Sequence, residues 1–249
     1  MIYSKMTIAV IFSFCFIFGL MIVYLSKERV KNSENKIYKS LIILNLMGLV
    51  LHILCENAAY YYDVIPKVIS TVIFKSFLGY FYAFGAVLLM YLLTISQVKN
   101  SELYKKIVSG SISVIYIILY FLPQELYRDF ENKIFYTKGI DVQLIYVLSA
   151  IVITIIFTLL IKERKQITKK KVIPILIFMI GATISVIIQK FYPEIVVIDC
   201  VESIIILLMY FTIENPDMKV LNELYKNKTI MEQTYDDKAN FLFEAAQEI

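Results

Sequence analysis

The sequence predicts an all-α fold: a polytopic membrane protein with seven transmembrane helices and a C-terminal cytoplasmic coiled-coil-like helix. Composition is the first observation. Of 249 residues, 59% are hydrophobic and 18% charged, where soluble domains hold about 45–50% and 25%. Mean hydropathy is +0.70, and polar residues are too few to coat a globule of this size. The second observation is that the apolar stretches are long and continuous. This excludes the disordered and collagenous classes, and the alternating pattern of outer-membrane barrels. The third is the distribution of charge, which gathers in the segments between the apolar runs.

A helix needs about 20 residues to cross ~30 Å of hydrocarbon. Seven stretches qualify: Thr7–Leu25, Tyr38–Cys55, Val72–Ser96, Val108–Leu122, Leu144–Ile161, Val172–Ile188 and Val196–Ile213. Inside lipid the backbone must satisfy its own hydrogen bonds, so each is read as helix despite many Ile and Val. The first reads as an uncleaved anchor rather than a signal peptide, because its strong positive flank follows the run. The fourth is the shortest, and Pro123 ends it. In the sixth, Pro174 and Gly181 read as a kink. Cys15, Cys55 and Cys200 all fall within spans without pairing or metal spacing, and read as buried apolar residues. Tyr60, Tyr61 and Tyr62 read as an interfacial aromatic belt.

Orientation follows from Lys and Arg in the loops. The first, third and fifth loops carry fourteen and the opposite side six. The chain is therefore expected in the plasma membrane with its amino terminus outside and its tail cytoplasmic. Residues 1–213 hold 21 basic and 13 acidic groups, and residues 214–249 hold 4 and 8. Anionic headgroups account for the basic loops, so the lipid bilayer and not nucleic acid is the expected partner.

Catalytic signatures are missing. There is no glycine-rich phosphate loop, paired-cysteine metal motif or serine elbow, and only one histidine. No cofactor and no metal is expected in this chain.

Ionisable groups inside spans cost ~2.5–3.5 kcal/mol each at the centre and are functional candidates by default. Asn45, His52 and Glu56 lie on one stripe of the second span. Lys75 sits about two turns into the third span, counted from Lys67. Asp199 and Glu202 share a face of the seventh. His52, Glu56, Lys75, Asp199 and Glu202 thus fall at similar depth in the outer half, where they satisfy one another only by converging inside the bundle. Two readings stand open. One is a ligand or ion site open to the outside. The other is a structural salt-bridge cluster, with Lys75 or Glu56 snorkelling to the interface.

After the last span come Glu214, Asn215, Pro216 and Asp217. Pro216 disfavours helix at Asn215, and Asp217 favours a new helix start. From Leu221 a heptad follows: positions 221, 228, 235, 242 and 249 are Leu, Lys, Tyr, Leu and Ile, and 224, 231, 238 and 245 are Leu, Met, Lys and Ala. Seven of nine are apolar or aromatic, the pattern of a coiled coil, here between two parallel copies. An amphipathic helix lying on the membrane is the alternative, disfavoured by the acidic tail.

This tail resembles sensor histidine kinases of bacteria. The resemblance rests on the multi-span block, the Glu-Asn-Pro-Asp juncture and a charged helix ending Lys-Ala-Asn-Phe-Leu. The family's dimerisation helix reads Phe-Leu-x-x-Met-Ser-His-Glu-Ile, and Phe241, Leu242, Glu248 and Ile249 match it in register. Gln247 stands where the family carries its phospho-accepting histidine, and an amide has no basic nitrogen to take a phosphoryl group. The family's ATP-binding domain is not among these 249 residues. The resemblance therefore implies a transmembrane sensor domain (1–213) and a cytoplasmic signalling helix (214–249), from a longer kinase or the end of a degenerate one. It implies a homodimer responding to an unknown small ligand or membrane stimulus, and argues against catalysis by this chain alone. A small transporter or channel, using the same charged residues as an ion path, is the second reading.

Overall fold

The computed structural model describes residues 5–26, 32–96, 98–131, 134–165, 167, 169–212 and 216–247. Of the described residues, 83% are helical. In chain order its elements are α1 (Lys5–Ser26), α2 (Ser33–Tyr60), α3 (Lys67–Ile95), α4 (Ser101–Phe121), β1 (Gln124–Asp129), β2 (Ile134–Gly139), α5 (Ile140–Lys162), α6 (Lys169–Phe191), α7 (Ile198–Thr212) and α8 (Pro216–Gln247). The first six helices are long and apolar enough to cross a membrane, which makes this a multi-pass membrane protein.

Local chemistry sets the boundaries. Asn32 caps α2 by accepting the Asn35 N–H at 2.8 Å. α4 stops at Phe121, and Leu122 is extended as a residue before proline prefers. α6 runs as one helix through Pro174 and Gly181. At Gly181 a Cβ would come within 2.6 Å of Val201 Cγ1, so the glycine serves close approach of α7. The three cysteines are free, but the expectation of burial fails for Cys15, which is exposed on α1; Cys55 and Cys200 are intermediate.

Two features refine these expectations. The stretch Val196–Ile213 is not among the six long apolar helices. Residues 195–197 belong to no helix or strand, following a turn that returns the Ile195 N–H to the Tyr192 carbonyl at 2.9 Å. Helix begins only at Ile198, and α7 is described through Thr212, 15 residues. Its first turn carries Asp199, a carboxylate that complements the helix dipole. The all-helical class holds, with one addition. Between α4 and α5 lies an antiparallel hairpin pairing Gln124 with Gly139 through to Asp129 with Ile134. Tyr127, Ile134, Phe135, Tyr136 and Thr137 are good strand formers. Gly139 joins β2 to α5 at φ 155°, where a Cβ would sit 2.7 Å from the Pro123 carbonyl oxygen.

α3 is the hub. It packs against α2, α4 and α5, while α7 packs against α6, α1 and α2. Tyr80, Phe84, Tyr91 and Leu92 of α3 are almost fully buried. Tyr38 of α2 donates to the Ile206 carbonyl of α7 at 2.8 Å. α7 therefore runs from the hairpin end of the bundle, near His52, toward the opposite end, where Lys171 of α6 pairs with Glu34 of α2 at 2.7 Å.

Candidate functional site

The stripe of α2 holding Asn45, His52 and Glu56 faces α1, α3 and α7. Asn45 and His52 are buried, and Glu56 is half-buried. His52 Nδ1 is hydrogen-bonded to the Asp199 carboxylate of α7, and its Nε2 lies 3.7 Å from Glu56 Oε1. Thr7 of α1 donates to the other Glu56 oxygen. Below, Tyr80 of α3 donates to Glu202. The Asn45 amide bridges the levels, with Nδ2 3.2 Å from both the Tyr80 hydroxyl and the Asp199 carbonyl. The Ser203 hydroxyl lies 2.9 Å from Asn45 Oδ1 and from the Asp199 carbonyl. Asp199 also accepts the Cys200 N–H at 2.9 Å. Asp199 and Glu202 are almost fully buried, and each of the three carboxylates has a donor, as buried charge requires.

Close approach of α2 and α3 makes this network possible. The Tyr80 ring lies over Gly48, in the space that any Cβ there would occupy. His52 meets the Phe77 ring at 5.1 Å between centroids.

Of the five ionisable residues singled out in the spans, four share this network and Lys75 does not. Its Nζ donates instead to Asp141 of α5 at 2.7 Å and to the Leu122 carbonyl at 2.8 Å. Five residues separate Lys75 from Tyr80, about 140° of helix rotation, so the two leave α3 on different faces. Asp141 is fully buried and also accepts its neighbour's N–H, from Val142 at 2.9 Å. This ion pair joins the end of α4, the start of α5 and the middle of the hub. Sequence reading missed Asp141, although a lysine inside a span calls for an acid at matching depth.

A cavity of about 1380 Å³ lies between α2, α3, α5 and α6 beneath the hairpin. His52, Cys55 and Glu56 form its inner end, Phe77 and Phe81 one wall, and Phe130 and Phe135 its cover. Such a space exceeds the 300–1,000 Å³ typical of small-ligand sites. Among the described residues, no group of three or more His, Cys, Asp or Glu is arranged to hold a metal ion.

An ion pair helps to fasten the cover. Arg128 of β1 makes a two-pronged pair with Asp63 at 2.8 and 2.9 Å, and its guanidinium lies 5.1 Å from the Tyr62 ring centroid. Tyr60 packs against Phe130 and Phe135, at 6.3 and 6.1 Å. Tyr60 and Tyr62 are thus hairpin contacts, and Tyr60 also lines the cavity. The hydrogen bonds from Arg128 hold the Asp63 carboxyl below its usual range. Because that pKa is depressed in the folded state, the tether's contribution is present above the ordinary Asp value of 3.8 and is lost as pH falls through the lower folded value. Amide exchange in residues 124–139 is expected to accelerate there, and Asp63→Asn to give the faster rate at all pH values. Equal acid response in wild type and variant would count against the tether.

In the juncture, Glu214 and Asn215 lie outside the described residues, and Pro216 and Asp217 are the first described residues of α8. Gln247 is the last residue of α8, and the matching pair Glu248 and Ile249 lie outside the described residues. On α8, Leu221, Leu224, Ile230, Met231 and Tyr235 are all exposed. No protein-family model matches the chain, and no curated protein matches it significantly.

Proposed function

We propose that this chain is the sensor and signal-transfer region of a histidine-kinase-like membrane protein, with the hairpin end outside and α8 cytoplasmic. In this reading α7, with the residues flanking it, makes a seventh crossing, and α8 pairs with its copy in a second chain. The observation that carries the reading is one contact. His52, at the inner end of the cavity, is hydrogen-bonded to Asp199, and α7 is the helix that leads into α8.

The mechanism follows from that contact. An occupant of the cavity bears on His52 and Glu56, and any change in the His52–Asp199 bond acts on the first turn of α7. The helix shifts against α1 and α2 and carries the change through Glu214–Asp217. Two discrete packings of the paired α8 helices then set the output. The exposed apolar positions of α8 are the surface that pairing would cover. A secondary transporter is commonly built on broken helices, and the continuity of α6 through Pro174 and Gly181 does not favour that reading.

The test is a cysteine cross-link. In a chain freed of its three cysteines and carrying Tyr235→Cys, oxidation in membranes is expected to join two copies. Asp199→Asn is expected to change the yield at least twofold while the protein still folds. No cross-link between copies would refute the dimeric α8, and an unchanged yield in Asp199→Asn would refute the coupling through α7.

A further inference from the structure

α5 and α6 follow one another in the chain but barely touch. Between them the cavity continues as a narrow slot of about 70 Å³ that reaches Glu202. Both spaces share Phe81, Ile145, Tyr146, Val186 and Gln189, so they adjoin. The slot's lining is mostly apolar, with Val152 and Ile153 of α5 and Phe178 and Ala182 of α6, beside Ser149, Ser185 and Glu202. Val186, on its edge, is 39% exposed.

The dimensions are informative. From Val142 to Val152 the path follows about 15 Å of α5, and from Phe178 to Gln189 it follows about 16 Å of α6. That is half of a ~30 Å hydrocarbon layer, the depth of one leaflet. The slot is narrow and the wide cavity, though largely apolar, carries more of the charged groups. At the wide end Lys190 and Glu194 line the cavity, and among the described residues neither has an ion-pair partner. One positive and one negative group, four residues apart at the mouth, complement a head of both signs.

The geometry points to a membrane lipid as the occupant: one acyl chain threaded between α5 and α6, with a zwitterionic head under the hairpin. It enters sideways from the bilayer through the α5–α6 gap. This rests on the sensor reading and names the ligand class of that same cavity.

The chain has no tryptophan, so one introduced indole reports alone. Phe81 lines both spaces, while Phe12 is 72% exposed on α1. The probe is lysophosphatidylcholine with a brominated acyl chain, titrated into bilayers of unbrominated lipid. In Phe81→Trp, quenching is expected to saturate at low mole fraction; in Phe12→Trp, it should rise linearly with the bulk. Adding Ala182→Phe should weaken the saturable phase at least tenfold. Shortening the chain of the probe should weaken it progressively, which decides the matter even if that variant misfolds. Linear quenching in both proteins, or none in Phe81→Trp, would overturn the lipid site. Equal saturation by a brominated lipid of purely anionic head would overturn the zwitterionic assignment. Neither result touches the cross-link measurement on Asp199, so the sensor reading stands or falls separately.

Discussion

Replacing Lys75 by methionine is expected to destabilise the bundle by about 3–5 kcal/mol, the cost of leaving a buried charge without its partner. The loss follows from what surrounds the ammonium. Asp141 is fully buried, and of its polar contacts only Lys75 brings positive charge. The Leu122 carbonyl, which accepts from the same ammonium at 2.8 Å, would lose that donor as well. Asp141→Asn should cost less, since an amide can still hydrogen-bond to the lysine. The double change Lys75→Met with Asp141→Leu should recover most of the loss, because an apolar pair of similar volume often replaces a buried ion pair without penalty. Unfolding in detergent measures all three. A Lys75→Met protein within about 1 kcal/mol of wild type would mean that the pair contributes little to stability.

Gly48→Val is expected to cost about as much, and by a different route. The Tyr80 ring occupies the space of any side chain at 48, and overpacking a dense core costs about 1–3 kcal/mol. Moving the ring also withdraws the hydroxyl from Glu202, and a buried acceptor left unsatisfied costs a further 1–3 kcal/mol or so. Tyr80→Phe alone isolates that second part, and should show about 1–3 kcal/mol with the packing intact. Tyr80→Leu should restore much of the Gly48→Val loss by clearing the ring, but not the hydrogen bond. If the double variant is no better than Gly48→Val, the seam between α2 and α3 is not closed by this contact.

The six long helices were legible because continuous apolar runs have one physical solution in a membrane. The limits of α7 were not. Hydrophobicity marked Val196 as the start, but the turn at Tyr192–Ile195 leaves residues 195–197 outside any helix, and α7 begins at Ile198. The hairpin was missed because two six-residue strands leave a faint periodic signal beside helices of more than twenty. Burial of His52, Asp199 and Glu202 could be anticipated from the cost of charge in lipid. Depth along a helix axis placed Lys75 with them, whereas rotation about that axis sent it to Asp141. Tyr80 and Thr7 carried no signal of their own. Both are ordinary membrane-helix residues until a carboxylate packs against them.

The His52–Asp199 contact joins residues 147 positions apart, and this bears on how the protein is made. α7 brings two carboxylates within four residues near its start, each costing ~2.5–3.5 kcal/mol at mid-bilayer on insertion scales. Delivered alone to lipid, so acidic a segment gains little by leaving water. It finds donors only where His52 and Tyr80 already stand, on helices synthesised well before it. The order of translation thus suits the order of assembly: the early helices form a mould, and α7 settles where that mould offers hydrogen-bond donors to its carboxylates.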